Sequence, residues 1–146
     1  MVGGHTVLLY LSLLFVPLSS FAASLNNQHI QFQVASIKAP SNPNQGISYT
    51  LNFKKTTYTY LDPRTKKQIS GQYRYRILDA QKGIYLINLE ERYEKKHSQY
   101  SLLLYAQGKG SGLYIFKQER GPIQPEQRMN FGTYRQQQPP QLGLDT

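Results

Sequence analysis

The stretch GQYRYRI, residues 71–77, places two tyrosines and two arginines in strict alternation. Because successive side chains of a β-strand point to opposite faces, the two tyrosines share one face with Ile77 and the two arginines share the other. Sheets that bind nucleic acid carry aromatic rings and cations on the same exposed face, so that bases stack while phosphates are neutralised. The alternation separates rings from cations here. It therefore predicts one half-buried wall of a sheet and argues against a nucleic-acid partner.

Short alternating segments of the same kind follow one another along most of the chain. In HIQFQV, residues 29–34, the apolar positions share one face and the two glutamines share the other. Segments rich in Gly, Pro and Asp separate these runs, and no run shows the 3.6-residue period of a helix. The predicted strands are 29–34, 47–53, 56–61, 71–77, 84–93, 98–106, 113–117 and 128–134.

Eight short strands without a long crossover predict an all-β fold, an antiparallel up-and-down calycin-like β-barrel of about eight strands from Ile30 to Tyr134. The chain contains no cysteine, so no disulfide can stabilise the fold. Closure of the sheet removes exposed edges, which a disulfide-free β protein has reason to avoid. Stability must then come from core packing inside the barrel.

The N-terminus has the pattern of a secretory signal peptide. Val7–Val16 is an apolar run of about ten residues, Pro17 breaks it, and residues 20–22 fit the small-x-small rule for cleavage after Ala22 or Ala23. Such a run is too short to span a bilayer, which takes roughly 20 apolar residues. A membrane anchor or a buried N-terminal helix are the competing interpretations. The predicted domains are a signal peptide at 1–23, a single β-barrel domain at 24–135 and a disordered Gln- and Pro-rich tail at 136–146.

The composition narrows the choice of location and partners. The net charge is +9, and all of the charged side chains follow Ala23. A basic protein in the periplasm or outside the cell would meet anionic lipid, acidic polysaccharide or an acidic protein rather than chromosomal DNA. The alternative is that the charges only form a solvated surface of mixed charge, since the lysine pairs are scattered along the chain. We expect a periplasmic or secreted protein without stable membrane insertion after cleavage.

Tyrosine is the dominant aromatic residue, with 12 tyrosines, six phenylalanines and no tryptophan. A buried tyrosine needs a partner for its hydroxyl, so a tyrosine-lined interior is either hydrated or suited to a ligand. The alternative is that many of the rings form cross-strand pairs on the outer face. Tyr85 is on the opposite parity from Glu90 and could point outward. The predicted ligand-binding residues are Tyr58, Tyr60, Tyr73, Tyr75, Tyr85 and Glu90.

Three segments carry a family resemblance: YTLNFKKTTYTYLD (49–62), SGQYRYRILDAQKGIYLINLEE (70–91) and YSLLLYAQGKGSGLYIF (100–116). Together they resemble the calycin or lipocalin-like small barrels, in particular the MoaF-like domains, over residues 46–117. The resemblance implies a barrel in which a strand ending near an acidic residue precedes a Leu-rich strand and a glycine turn.

Phenolic acid decarboxylases resemble this arrangement too, and they rely on tyrosines, an arginine and a glutamate inside the barrel. Glu90 lies at about the place of the glutamate, whereas Gln72 stands where the arginine is expected. Because Arg74 and Arg76 have the outer parity, we predict that no arginine projects into the barrel beside Glu90.

The sequence contains no convincing catalytic or metal motif. The histidines after the signal have no partner at metal-ligand spacing, and GKGSG (108–112) lacks the ending of a phosphate-binding loop, so it predicts a hairpin turn. We therefore predict a non-enzymatic exported protein without cofactor or metal that binds a small, partly apolar ligand. The first alternative is a protein-interaction or inhibitor-type module whose basic face meets an acidic partner. The second is a decarboxylase-like enzyme.

Overall fold

The computed structural model describes residues 23–40, 42–93, 95–122, 124 and 126–138. The predicted signal peptide, apart from Ala23, and the predicted tail from residue 139 lie outside the described residues. Within the described part the secondary structure is entirely β, so the all-β prediction is confirmed. The eight strands are β1 (His29–Val34), β2 (Ser48–Phe53), β3 (Thr57–Leu61), β4 (Gln68–Asp79), β5 (Ile84–Tyr93), β6 (Lys96–Gly108), β7 (Ser111–Arg120) and β8 (Arg128–Gln137).

The strands form one closed antiparallel barrel in chain order. Each strand pairs with the next, and β8 pairs with β1 over six residues from His29↔Gln137 to Val34↔Gly132. This up-and-down topology is compatible with a calycin-like fold. The pairing also moves the predicted end of the barrel domain, because Gln136 and Gln137 belong to β8 rather than to the tail.

Aromatic side chains fill much of the interior. Of the ten tyrosines whose side chains are described, nine are buried or pack against the core, and Tyr105 is exposed. Their rings meet phenylalanines edge to face, with centroids 5.0 Å apart for Phe32 and Tyr114 and 4.9 Å for Phe53 and Tyr73. Such contacts add to the stabilisation from burial alone. Nine of the ten described tyrosines therefore face the inside of the barrel, and Tyr105 lies on its outer face.

The residues of the opening stretch lie as the alternation predicts, with one exception. Tyr73 and Tyr75 point inward, and Arg74 and Arg76 are exposed. Ile77 was predicted to share the inner face, but 47% of its surface is exposed. Ile77 still pairs with the inward-facing Tyr85, and its exposure coincides with the register shift between residues 77 and 79 near the end of β4.

The two ends of the barrel differ. At one end Leu25 is buried in the core, and its segment is held where the Asn27 backbone N–H donates to Phe53 O at 3.0 Å. The other end, called the barrel mouth from here on, is surrounded by the connections that follow β1, β3, β5 and β7. Arg64 Nη2 donates to Pro43 O at 2.7 Å and so joins two of these connections. No helix in the described residues is long and apolar enough to cross a membrane.

Candidate functional site

Two adjacent glutamates of β5 lie on opposite sides of the barrel wall. Tyr85, Ile87 and Leu89 are buried and face inward, and Glu91 continues that series with 5% of its surface exposed. Glu90 faces outward with a side chain that is 47% exposed, and its Oε1 lies 2.6 Å from His97 Nε2. This corrects the choice of Glu90 as a residue that orients a ligand inside the barrel. It also places Tyr85 on the inner face.

Three tyrosine hydroxyls donate hydrogen bonds to Glu91. Tyr58 Oη donates to Oε2 at 2.7 Å, while Tyr60 Oη and Tyr100 Oη donate to Oε1 at 3.1 and 3.0 Å. The donors come from β3 and β6, on either side of the β4–β5 pair. Hydrogen bonds to a charged acceptor are stronger than neutral ones, so this arrangement, the Glu91 cluster, fixes all four side chains.

Gly71 makes the Glu91 cluster possible. On β4 it pairs with Tyr58 of β3 on one side and with Glu91 of β5 on the other. A Cβ atom built at this glycine would lie 2.8 Å from Tyr58 Oη and would also collide with the Glu90 carbonyl oxygen. The missing side chain therefore opens the path along which the Tyr58 hydroxyl crosses β4 to reach the carboxylate.

Burial dominates the protonation equilibria of the cluster. It raises the pKa of Glu91 above the ordinary value of 4.5, although the hydrogen bonds from the three hydroxyls act in the opposite direction. Burial, together with the neighbouring Glu91 carboxylate, raises the pKa of Tyr58, Tyr60 and Tyr100. The hydroxyls therefore remain protonated donors at any pH at which the protein would be studied.

The raised pKa of Glu91 predicts how stability depends on pH. Because the folded protein binds the Glu91 proton more tightly than the unfolded chain, this proton stabilises the fold fully below the unfolded pKa near 4.5. The stabilisation is lost as pH rises through the folded pKa. We expect the free energy of unfolding of the wild type, minus that of Glu91→Gln, to fall as pH rises from about 4 to about 8. Urea titrations at several pH values measure this difference, and a difference that rises with pH would contradict the prediction.

An arginine that sequence reasoning did not select also enters the barrel. Arg128 of β8 exposes only 4% of its surface, and its Nε donates to Gln118 Oε1 at 3.1 Å. Its guanidinium carbon lies 5.9 Å from the centre of the Phe116 ring. Burial lowers the pKa of Arg128, but a guanidinium stays protonated in proteins. Nη1 of Arg128 and Oδ1 of Asn130 are buried without a hydrogen-bond partner among the described residues.

The Glu91 cluster and Arg128 line a single cavity of about 110 Å³ in the barrel mouth. Its apolar wall consists of Ile47, Leu51, Leu89 and Phe116, and its rim includes Asp62, Pro63 and Arg64. The cavity is smaller than the few hundred Å³ expected of a barrel that encloses an entire ligand. The cavity lies at the mouth end of the barrel, beside the packed aromatic core.

Only part of the predicted site lies at this cavity. Tyr58 and Tyr60 line it. Tyr73 lies deeper, where its hydroxyl donates to Lys54 O at 2.7 Å, and Tyr75 stacks on Tyr85 with ring centroids 6.2 Å apart. These three tyrosines are part of the core rather than of the cavity wall.

We predicted that Arg74 and Arg76 lie outside the barrel, and they do. The prediction did not consider Arg128, which lies inside. Arg74 and Arg76 are exposed, as their parity requires, and Gln72 is exposed too. Arg128 and Asn130 were overlooked because in RMNFGTY the apolar Met129 and Phe131 compete with them for the inner face. The sequence signal that could have identified Arg128 and Asn130 as inward is that Gly132 and Tyr134 continue their parity. Both of these residues are buried in the structure.

Comparison of the chain with protein-family models, with curated proteins and with solved structures finds no match.

Proposed function

We propose that this protein binds a small, partly apolar organic acid in the barrel mouth, with the acid group held by Arg128. The observation that carries the proposal is the buried guanidinium nitrogen Nη1, which has no partner among the described residues, in a side chain that lines the cavity. A buried donor without an acceptor costs free energy, and a charged one costs more. A carboxylate is the natural complement of a guanidinium, because two oxygens can accept from it at once.

The other groups in the cavity suit the same ligand. Asn130 Oδ1 is a second buried atom without a partner in the described part of the chain, and it can accept from a hydroxyl or amide of the ligand. Ile47, Leu51 and Phe116 supply apolar contacts. Glu91, in contrast, already accepts from three hydroxyls and is better suited to holding the tyrosine rings in place than to meeting a ligand.

The size of the cavity limits what can enter. A dry protein cavity of about 150 Å³ can hold benzene, so a cavity of about 110 Å³ suits a head group of a few heavy atoms. The remainder of the ligand would extend between Pro63 and Asn44 at the rim. The expected occupant is therefore a short acid with a flat or slender apolar part.

Export and family membership belong to the same proposal. The N-terminal apolar run and the small residues at the cleavage site support a periplasmic or secreted binding protein. The closed eight-stranded barrel is compatible with the MoaF-like resemblance. A barrel that binds its ligand at one open end is a common use of such architectures.

Titration of the purified protein with benzoate and hexanoate, and with benzamide as a neutral analogue, tests the proposal. We expect calorimetry to detect the acids and not the amide, and Arg128→Gln to weaken binding at least about tenfold, because a hydrogen-bonded charge pair is lost. Arg76→Gln, on the exposed outer face, serves as the matched control and should bind like the wild type. Arg128→Gln should also keep or gain thermal stability without ligand, since it removes a buried and incompletely paired cation. Equal binding of acids by both variants would contradict the assignment of Arg128.

A second candidate function has one observation in its favour. Glu91, Arg128 and four tyrosines share one cavity, which matches the residue types that the decarboxylase resemblance implies. The binding protein remains our preferred proposal, because both oxygens of Glu91 are engaged by hydroxyls. Incubation with hydroxycinnamic acids, followed by chromatography, separates the two. We expect no turnover, and decarboxylation that disappears in Glu91→Gln would establish the enzyme instead.

A further inference from the structure

The outer surface of the barrel carries a concentration of exposed apolar side chains. Ten large hydrophobic residues are exposed in the described part of the chain, and six of them lie on β6, β7 and β8, each 37–51% exposed. We call this set the outer apolar face. It consists of Leu103, Tyr105, Leu113, Ile115, Met129 and Phe131.

The members of this face are neighbours across the strands. Ile115 of β7 pairs with Leu103 of β6 and with Phe131 of β8, and Leu113 pairs with Tyr105. Directly opposite residues have Cβ atoms about 5 Å apart, so their side chains touch. Half-exposed aromatic and aliphatic side chains in this number form a patch on the order of 500 Å², at the upper end of what monomers expose.

The barrel architecture does not require this patch. Most outward positions of the first three strands are polar, among them Gln31, Gln33, Ser48, Thr50, Thr57 and Thr59, and Leu61 at the end of β3 is an exposed apolar exception. The exposed apolar side chains are thus concentrated on β6, β7 and β8 and sparse on the opposite side. Contiguous apolar patches of this size on monomers are often functional.

Cations surround the outer apolar face. Leu86, which pairs with Leu103, has exposed Arg76 as its other neighbour, and Lys117 pairs with Met129. Arg135 is exposed and continues the outward series of β8. The carboxylates of β4–β8 apart from the inward Glu91 are Asp79, Glu90 and Glu119, and they lie 3.7 Å from Lys82 Nζ, 2.6 Å from His97 Nε2 and 3.0 Å from Lys117 Nζ, respectively.

The shape and the charge of the outer apolar face indicate what kind of partner binds there. A closed barrel is convex on the outside, so two copies that meet through this face would touch over a small area. A second copy would also bring a second net charge of +9 into contact with the first. A lipid surface can adapt to a convex patch, and anionic head groups complement the surrounding cations. We infer that the outer apolar face docks on an anionic membrane surface, with Tyr105 and Phe131 at the depth of the head groups.

Vesicle flotation of the purified chain tests this inference, with vesicles of equal parts phosphatidylglycerol and phosphatidylcholine compared with phosphatidylcholine alone. We expect binding to the anionic vesicles that weakens with salt, and a partition coefficient at least about tenfold lower for the double variant Ile115→Thr/Phe131→Thr. The control is Ile37→Thr/Leu61→Thr, which removes equally exposed apolar side chains away from the face and should bind like the wild type. All three proteins share the same N-terminus, so the comparison reports on the outer surface.

Three outcomes would overturn the inference. The first is an absence of binding to the anionic vesicles at low salt, and the second is equal binding of the double variant and the wild type. The third is a dimer, detected by light scattering, that the double variant abolishes and the control retains. That result would assign the outer apolar face to a second copy of the chain. Circular dichroism of both double variants verifies that the outward substitutions leave the barrel folded.

Discussion

Replacing Gly71 by alanine is expected to destabilise the barrel by on the order of 3 to 5 kcal/mol, a large fraction of the stability of a small domain. The added methyl group would lie 2.8 Å from Tyr58 Oη and would also meet the Glu90 carbonyl oxygen, which belongs to the sheet and cannot move freely. Relief of the first collision moves Tyr58 away from Glu91 and breaks their 2.7 Å hydrogen bond. Urea denaturation followed by circular dichroism measures the loss.

Gly108 provides the matched control for this substitution. It also lies in a strand, but a Cβ there would meet only Ser111 Oγ, at an ordinary 3.5 Å. We expect Gly108→Ala to change stability by less than about 1 kcal/mol. In the Gly71→Ala background, Tyr58→Phe should cost much less than in the wild type, because the hydrogen bond is already lost. Additive costs of the two substitutions would mean that Gly71 acts independently of the Glu91 cluster.

The strands that alternation predicted well are those in which one parity is clearly unsuited to burial. In β4 the arginines could not face inward, and β2 and β3 alternate aromatic or aliphatic residues with Thr, Asn or Ser. The number of strands, their antiparallel order and the inward tyrosines follow from such segments. The register shift of β4 beside the exposed Ile77 does not, because a register shift depends on both paired strands.

The candidate site lies where alternation is ambiguous or inverted. In β5 both parities are apolar as far as Ile87, and Asn88, on the parity of Glu90, is the one local sign that favours Glu91 for the inner face. Glu91 pairs with Gly71 of β4, which leaves room for its contact with Tyr58 on the inner face. This pairing joins residues 20 positions apart and cannot be read from β5 alone. In β8 the inward positions include Arg128 and Asn130, while Met129 and Phe131 face water. Departures from the pattern that would best stabilise a fold are expected at functional sites, and β8 supplies both the buried cation and part of the outer apolar face.

Glu91→Ala and Glu90→Ala should differ sharply, although they remove the same side chain from adjacent positions of one strand. We expect Glu91→Ala to destabilise the protein by on the order of 3 kcal/mol or more, because it leaves the hydroxyls of Tyr58, Tyr60 and Tyr100 without their common acceptor. Water entering the cavity can satisfy part of this loss but not reproduce a charged acceptor.

Glu90→Ala should change stability by less than about 1 kcal/mol, since it removes an exposed side chain and a surface contact with His97. Matched urea titrations of the two variants and the wild type give both values. Comparable losses, or the larger loss at Glu90, would mean that the inner face of β5 has been assigned to the wrong parity. The comparison also tests the role of the acidic group, because Glu91→Gln retains one acceptor oxygen and should recover part of the stability that Glu91→Ala loses. A glutamine no better than alanine would show that the three tyrosines depend on the negative charge itself, and not merely on an acceptor of the right shape.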